Sequence, residues 1–582
     1  MPKRRRTVWA GLLSLLLALP TTFLALAPHG ASSPVSTSGQ LPRTHPARDA
    51  SLQPLPARLA EPSSATQTCS SCHDTEAGFV QDKDHFLNER ALLDQTAWAD
   101  SIQLTAKCGS CHRLVDADQL PTDRWEDTLI NFMSKVVYHL EQAPTFHPAP
   151  TGRSYSEWMD QTHNQWMDVL HYYLVFSEPE TKLPPDPPVT GVRFEPTAVG
   201  VGLGPHVHHQ IGNVNIVDLD QNGEPDVVVS DFNRHRVTWI RREDDEWKER
   251  PLGRVAYPGR TAVGDFTGDG RPDIVVADVG SNNATDDNVG GVVLLINEGP
   301  MAFSTRTLLD DVGRVSDVRP GDVDQDGDID FIVGVFGFLK KGQIGWLERR
   351  EDESFTYHRV SSKTGTVNVS PIDFDGDGRL DFVALISQTH EEISVFLNEG
   401  DGRFKERVLY KADSPTYGSS GIELVDLDED GDTDILYTNG DAFDLSTPMI
   451  RPYHGVQWLE NEGGFQFTFH DLIRFYGAYR AVPGDMDGDG DLDVVVTSLL
   501  NDWADPTRKS LLWLENDGSE QFTPHGVAAA PTSLISADVA DMNGDGRLDI
   551  VTGSMHNRYT AGEKRSRVTL WTNRGPVQQL PD

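Results

Sequence analysis

All four cysteines of the chain stand in two C-x-x-C-H units, Cys69-Ser-Ser-Cys72-His73 and Cys108-Gly-Ser-Cys111-His112. Two thiols at this spacing can add to the two vinyl groups of one porphyrin, and the histidine behind them can swing under the ring to ligate iron. Each unit is read as an attachment site for one c-type haem: Cys69, Cys72, Cys108 and Cys111 as covalent donors, His73 and His112 as axial ligands. A four-thiolate zinc site or two redox-active disulfides would use the same cysteines. Neither explains a histidine after both pairs.

The second set of chemically capable residues is an acidic loop, D-x-[DNT]-x-[DN]-G-x-x-D, which occurs seven times at intervals of 47, 57, 51, 53, 59 and 56 residues. Oxygens at positions 1, 3, 5 and 9, a carbonyl at 7 and a glycine at 6 for the turn make a compact Ca²⁺ cage, close in logic to an EF-hand loop. The candidate ligands are Asp218, Asp220, Asn222 and Asp226 in loop 1, and Asp265, Thr267, Asp269 and Asp273 in loop 2. Loops 3 and 4 offer Asp322, Asp324, Asp326 and Asp330, then Asp373, Asp375, Asp377 and Asp381. Loops 5, 6 and 7 offer Asp426, Asp428, Asp430 and Asp434; Asp485, Asp487, Asp489 and Asp493; Asp541, Asn543, Asp545 and Asp549. Loops 1, 2 and 7 carry one carboxylate fewer and are expected to bind more weakly.

The elements that would position these groups differ on the two sides of a proline-rich break. Met1 to Arg6 is basic, and Val8 to Ala27 is apolar and ends in Ala25-Leu26-Ala27, the pattern of an export signal. Pro28 disfavours cleavage there, so the signal is set at 1–31, with retention as an anchor the other outcome. Residues 32–66 read as a flexible linker, 67–178 as a small all-α dihaem domain, and 179–190 as a stiff Pro-rich linker. Within the α domain, apolar residues from Trp158 to Leu174 recur at helical spacing. The stretch LPTDRWEDTLINFM (120–133) resembles small bacterial c cytochromes, and by that resemblance Met133 is the distal ligand of the second haem. His85 and His139 are the candidates for the first.

From 191 to 575 each loop is preceded by a β-rich stretch and followed by an apolar run. Then come a segment ending near Trp239, Ile296, Trp346, Phe396, Trp458, Trp513 or Trp571, and a fourth that opens on an aromatic residue such as Phe303 or Phe355. The seventh unit lacks its fourth strand, and Val192 to Val199 has the matching pattern, so it should complete that blade and close a ring. The repeats resemble the FG-GAP or VCBS family of integrin α-chains and secreted bacterial proteins, and the whole chain resembles bacterial cytochrome c and FG-GAP fusions. The resemblance implies an all-β seven-bladed propeller, structural Ca²⁺ in up to seven loops away from the functional face, and 576–582 as a tail.

Counting back from the first Asp of each loop, apolar residues at −4 and −2, such as Val214, Val318 and Ile422, should pack between blades, turning −5 and −3 into the channel. Arg260, Arg319 and Arg480 fall there. The long connections between second and third strands carry Tyr453, His454, Trp503 and His556, a mixture suited to a glycan or a protein partner. A hydrated channel and variable surface loops are the plainer readings of both sets.

Fifty Lys and Arg against 89 Asp and Glu leave a net charge of −39, which argues against binding nucleic acid through its phosphates. Twenty-five of the acids occupy the loop ligand positions. Apart from the N-terminal run, no segment is long and apolar enough to span a membrane. The reading is an exported, periplasmic or extracellular c-type cytochrome for electron transfer to a redox partner, fused to a calcium-stabilised propeller that binds a partner or carbohydrate. The alternative is a haem-linked sugar or alcohol oxidoreductase, or a lyase, whose propeller holds the substrate. G-x-S-x-G, H-E-x-x-H and dinucleotide fingerprints are missing from the sequence. Adhesion, a third reading, leaves the haem motifs unexplained.

Overall fold

The computed structural model describes residues 185–201, 209–300, 302–338, 340–388, 390–412, 417–442, 453–556 and 566–576. The C-x-x-C-H units, Met133, His85, His139 and the segments expected before residue 185 lie outside these residues. What is described is an all-β, seven-bladed propeller of four-stranded antiparallel sheets. Among the described residues no helix is long and apolar enough to cross a membrane.

Strand β1 (Val192–Val199) opens the chain of blades. Blade 1 is β2 (Ile211–Val217), β3 (Asp226–Asp231), β4 (Arg236–Glu243) and β5 (Glu246–Arg254). Blade 2 is β6 (Pro258–Gly264), β7 (Asp273–Asp278), β8 (Gly290–Asn297) and β9 (Phe303–Val312). Blade 3 is β10 (Val315–Gly321), β11 (Asp330–Val335), β12 (Gln343–Arg349) and β13 (Phe355–Ser361). Blade 4 is β14 (Thr366–Ile372), β15 (Asp381–Ile386), β16 (Glu392–Asn398) and β17 (Phe404–Lys411). Blade 5 is β18 (Gly421–Val425), β19 (Asp434–Thr438), β20 (Gly455–Asn461) and β21 (Phe467–Arg474). Blade 6 is β22 (Ala478–Gly484), β23 (Asp493–Ser498), β24 (Leu511–Asn516) and β25 (Phe522–Ala528). Blade 7 is β26 (Leu534–Ala540), β27 (Asp549–Ser554) and β28 (Val568–Pro576), and its outermost strand is β1.

The second strand of every blade is an apolar run buried along nearly its whole length, as a strand covered on both faces must be. The third strand of most blades contributes a large side chain to the space between sheets; Trp239, Trp346, Trp458, Trp513 and Trp571 are all at most 3% exposed. Val214, Val318 and Ile422 are buried between blades, where their positions before the Asp loops put them.

Six of the seven innermost strands share an irregularity that no residue pattern announces; β18 in blade 5 pairs in unbroken register. Their pairing slips by one residue five or six positions before the loop, between Ile211 and Asn213, Val315 and Asp317, Thr366 and Asn368, Ala478 and Arg480, and Leu534 and Ser536. In blade 2 the slip runs from Pro258 to Thr261 and takes in Arg260 itself. A bulge of this kind re-aims the side chains around it.

Closure of the ring is polar as well as apolar. Arg567, before β28, donates to Asp231 at 2.7 Å and Glu249 at 2.5 Å, and its side chain is 1% exposed. Burial lowers its pKa, opposed by these two carboxylates. Arg234 pairs with both acids, and Gln210 bridges to Met555, so blades 7 and 1 are joined by a buried ionic seam.

Candidate functional site

The Asp loops join the first and second strands, so antiparallel pairing puts all seven on one rim. Two positions in each loop need left-handed backbone. Position 6 is always glycine, with φ from 83° to 107°, and position 4 also has positive φ, whether occupied by glycine or by Gln221, Gln325 or Glu429. The glutamines put that conformation to use: Gln221 donates to the carbonyl of Gly270 and Gln325 to that of Gly378, linking neighbouring loops.

Position 9 begins the second strand and is buried in every blade. One oxygen of this carboxylate accepts the N–H of the residue at position 2 in all seven, for example Val323 to Asp330 at 3.0 Å and Met486 to Asp493 at 2.8 Å. In blades 2 to 7 the other oxygen accepts an N–H at the end of the third strand, as Asn398 to Asp381 at 2.7 Å. The aspartate thus stitches loop to sheet. Burial pushes the carboxyls of Asp226, Asp434 and Asp493 up to about 6 and that of Asp330 to about 7, against the hydrogen bonds that lower them. A cation in the loop would reverse that cost.

Five loops bring three carboxylates within 4.8 Å of one another: Asp218, Asp220 and Asp226; Asp322, Asp324 and Asp330; Asp373, Asp375 and Asp381; Asp426, Asp428 and Asp434; Asp485, Asp487 and Asp493. One oxygen each of Asp220, Asp322 and Asp426 is enclosed without a hydrogen-bond donor. These donor sets fit a hard divalent cation. In loop 2, Asp265 accepts from the N–H groups of Gly268, Asp269 and Gly270. In loop 7, Asn543 donates its amide to Asp549 at 3.2 Å, so part of the cage is closed by the chain's own donors.

The third strand grades the loops further. Blades 3, 5 and 6 carry Trp-Leu-Glu, in which Glu348, Glu460 and Glu515 hydrogen-bond His358, His470 and His525 at 2.5 to 2.6 Å. Each of these imidazoles stacks on the tryptophan two residues before its glutamate. Burial, adjoining loop aspartates and these glutamates raise the pKa values of Asp324, Asp428 and Asp487. In blade 1 the equivalent residue is Arg241, whose guanidinium holds Asp220 at 2.8 Å. Loops 2, 4 and 7 have arginine at position 7, and Arg271, Arg379 and Arg547 pair with Asp269, Asp377 and Asp545.

The channel arginines come together, largely neutralised by one another's neighbours. Arg319 pairs with Asp317 at 3.0 Å and Arg480 with Glu423 at 2.6 Å. Asp317 also accepts from the N–H groups of Val318 and Val369, and Asp538 from those of Ile216 and Val539. Arg260, partly exposed in its bulge, faces the amide of Asn368, whose oxygen, when turned toward it, accepts at 3.1 Å. Burial and the nearby Arg480 push Arg260 down to about 10.

On the opposite rim, Tyr453 stacks on Tyr417 with ring centroids 5.4 Å apart, and both are partly exposed, as is Trp503. His454 and His556 do not join them at the surface. His454 is 1% exposed and packs edge-on to Tyr453; His556 is 0% exposed beside His209. The loop backbone turns both imidazoles inward, which the residue types alone could not reveal. At the centre of this rim Phe232, Ala442, Leu499, Leu500 and Met555 form an apolar cluster drawn from several blades.

The FG-GAP-like repeat family matches residues 218–276, 265–333, 373–437 and 499–552. No curated protein sequence matches the chain. Among solved structures it is similar to the crystal structure of BBS1N in complex with ARL6DN soaked with lead, at 10% identity and a TM-score of 0.41, over 67% of this chain and 99% of that one. The mercury-soaked form of that complex is similar at 10% identity and a TM-score of 0.39, over 67% and 98%.

Proposed function

We propose that this chain, an FG-GAP-repeat propeller by its repeats and its fold, is an exported electron-transfer protein carrying two c-type haems ahead of a calcium-stabilised docking body. The observation that carries the haem reading is that every cysteine belongs to a C-x-x-C-H unit. Cys69, Cys72, Cys108 and Cys111 would hold the haems and His73 and His112 would ligate them; Met133, and His85 or His139, would complete the coordination. When bound, the haems supply one-electron chemistry, and methionine ligation places a potential above that of a bis-histidine site.

Calcium is supported by the convergence of carboxylates in loops 1, 3, 4, 5 and 6 and by the enclosed oxygens that lack donors. The ions would be structural, tying the first two strands of a blade together at the rim. The rim with Tyr453 and Trp503 is the proposed docking surface for a redox partner or glycan. The alternative, a haem-linked oxidoreductase or lyase, draws on the bulged Arg260 in the channel, which faces an amide.

A pyridine haemochrome assay should give two haems per chain; a value near one or zero would overturn the dihaem reading. Anaerobic mixing of oxidised protein with sugars, alcohols and polysaccharides separates relay from enzyme. Substrate-specific growth of the reduced α-band identifies an enzyme, and an unchanged spectrum across the panel supports the relay.

A further inference from the structure

The residues just before β1 have the composition of a proline-rich spacer, yet they are built into blade 6. Asp186 accepts the backbone N–H of Lys509 at 2.6 Å, the Asn501 amide at 3.4 Å and the Arg508 guanidinium at 3.1 Å. The side chains of Asp186 and Arg508 are 5% and 6% exposed, so this is a buried ion pair between a spacer and a loop. Two residues on, the carbonyl of Pro188 accepts the N–H of Gly526 at 2.8 Å, and Thr190 bonds His525 at 2.6 Å.

The packing is close enough to require missing side chains on both partners. A Cβ on Gly526 would lie 2.5 Å from the carbonyl oxygen of Pro187, and one on Gly191, at φ +72°, would lie 2.3 Å from the Trp513 ring. A segment held by a buried carboxylate, a backbone hydrogen bond and two glycine contacts is a fixed mount. A charge buried at this depth is retained only with its partner, so the two ends specify one docked position.

The mount has a defined address. Asn501, Arg508 and Lys509 lie in the connection between β23 and β24, on the rim opposite the Asp loops. The 184 residues that precede Pro185 therefore begin their path at that rim of blade 6, beside the partly exposed Trp503. We infer that Asp186 and Arg508 mount the N-terminal region, residues 67–184, at the blade 6 sector of this rim, so that this region of the same chain stands beside the rim on which Tyr453 and Trp503 would meet a partner.

Lysine cross-linking with mass spectrometry on the full-length protein tests the mount, because lysines mark both rims. Lys509 and Lys411 lie on the proposed side, whereas Lys248 and Lys405 sit at the hairpin turns beside the Asp loops. Cross-links from Lys83, Lys107 and Lys135 should concentrate on Lys509 and be missing from Lys248 and Lys405. In Asp186→Asn that preference should disappear, and trypsin should cut after Lys182 faster than in the wild type. Arg508→Gln provides the same test without altering the spacer, with the melting temperature of each variant reporting that the propeller still folds. Cross-links spread over both rims in the wild type, or an unchanged pattern in variants that remain folded, would overturn the inference. The readout needs no haem, so its failure would leave the haem reading standing.

Discussion

The two rims of the propeller are made by different rules. On the Asp-loop rim one nine-residue design is used seven times, with the same positive-φ positions and the same buried aspartate at the head of each second strand. On the other rim the described connections differ: the one between β27 and β28 packs His556 against His209 and closes the ring through Arg567, the one between β23 and β24 grips Asp186, and the one between β19 and β20 brings Tyr453 onto Tyr417. Repetition marks what every blade needs in order to stand; variation marks where this chain differs from a generic propeller.

If that division is right, insults to the repeated rim should act on stability and those to the varied rim on binding and mounting. The largest effect is expected from chelation. One calcium at a hundred times its Kd contributes about 2.7 kcal/mol, and several sites act on one ring. EDTA should therefore lower the melting temperature of the propeller by many degrees in calorimetry; an unchanged melting temperature would remove calcium from the account. The exception the comparison must survive is Arg567 on the varied rim. Arg567→Ala removes the more deeply buried of the two guanidiniums that pair with Asp231 and Glu249 and leaves Arg234 alone to offset both acids, so unfolding in denaturant should show a loss of about 3 kcal/mol.

A finer comparison lies within the repeated rim. Loops 3, 5 and 6 are backed by glutamates, whereas loops 2 and 7 lack the carboxylate at position 3 and carry an arginine at position 7. On titration with a chelator, Asp541→Asn should leave the tightly held calcium count unchanged, while Asp322→Asn should lower it by one ion, read by elemental analysis. Gly327→Ala isolates backbone strain, because no atom lies within 4 Å of the added methyl and φ is +94°. It should cost about 1 kcal/mol. Equally small in stability is the double change Tyr453→Ala and Trp503→Ala, a loss of about 1 kcal/mol from the stacked tyrosines. Partner or glycan binding should fall sharply; binding that stays intact would take these side chains out of the docking surface.

What could be read from residue order follows the same division. The loops, the seven blades and the third-strand tryptophans were legible because each signal recurs, and seven weak signals in register make a strong one. The bulges were not, since a one-residue slip in pairing leaves no mark on composition, and Arg260 owes its orientation to one. Nor was the burial of His454 and His556, because the direction of a loop imidazole is decided by the backbone around it. Asp186 was hidden by its company: a lone acid among prolines reads as a spacer, and its partner Arg508 is 322 residues away. The pairing of Arg319 with Asp317 and Arg480 with Glu423 was visible only as a gathering of charges, without its geometry.

The seam between β1 and β28 also sets an order in time. Val192 pairs with Pro576, so the strand made first in the propeller waits for the one made last, across a separation of 384 residues. Until then blade 7 has an unpaired edge and the ring stays open. Contacts of such long range slow folding. A chain cut short by even its final strand would expose two sticky edges rather than one missing blade.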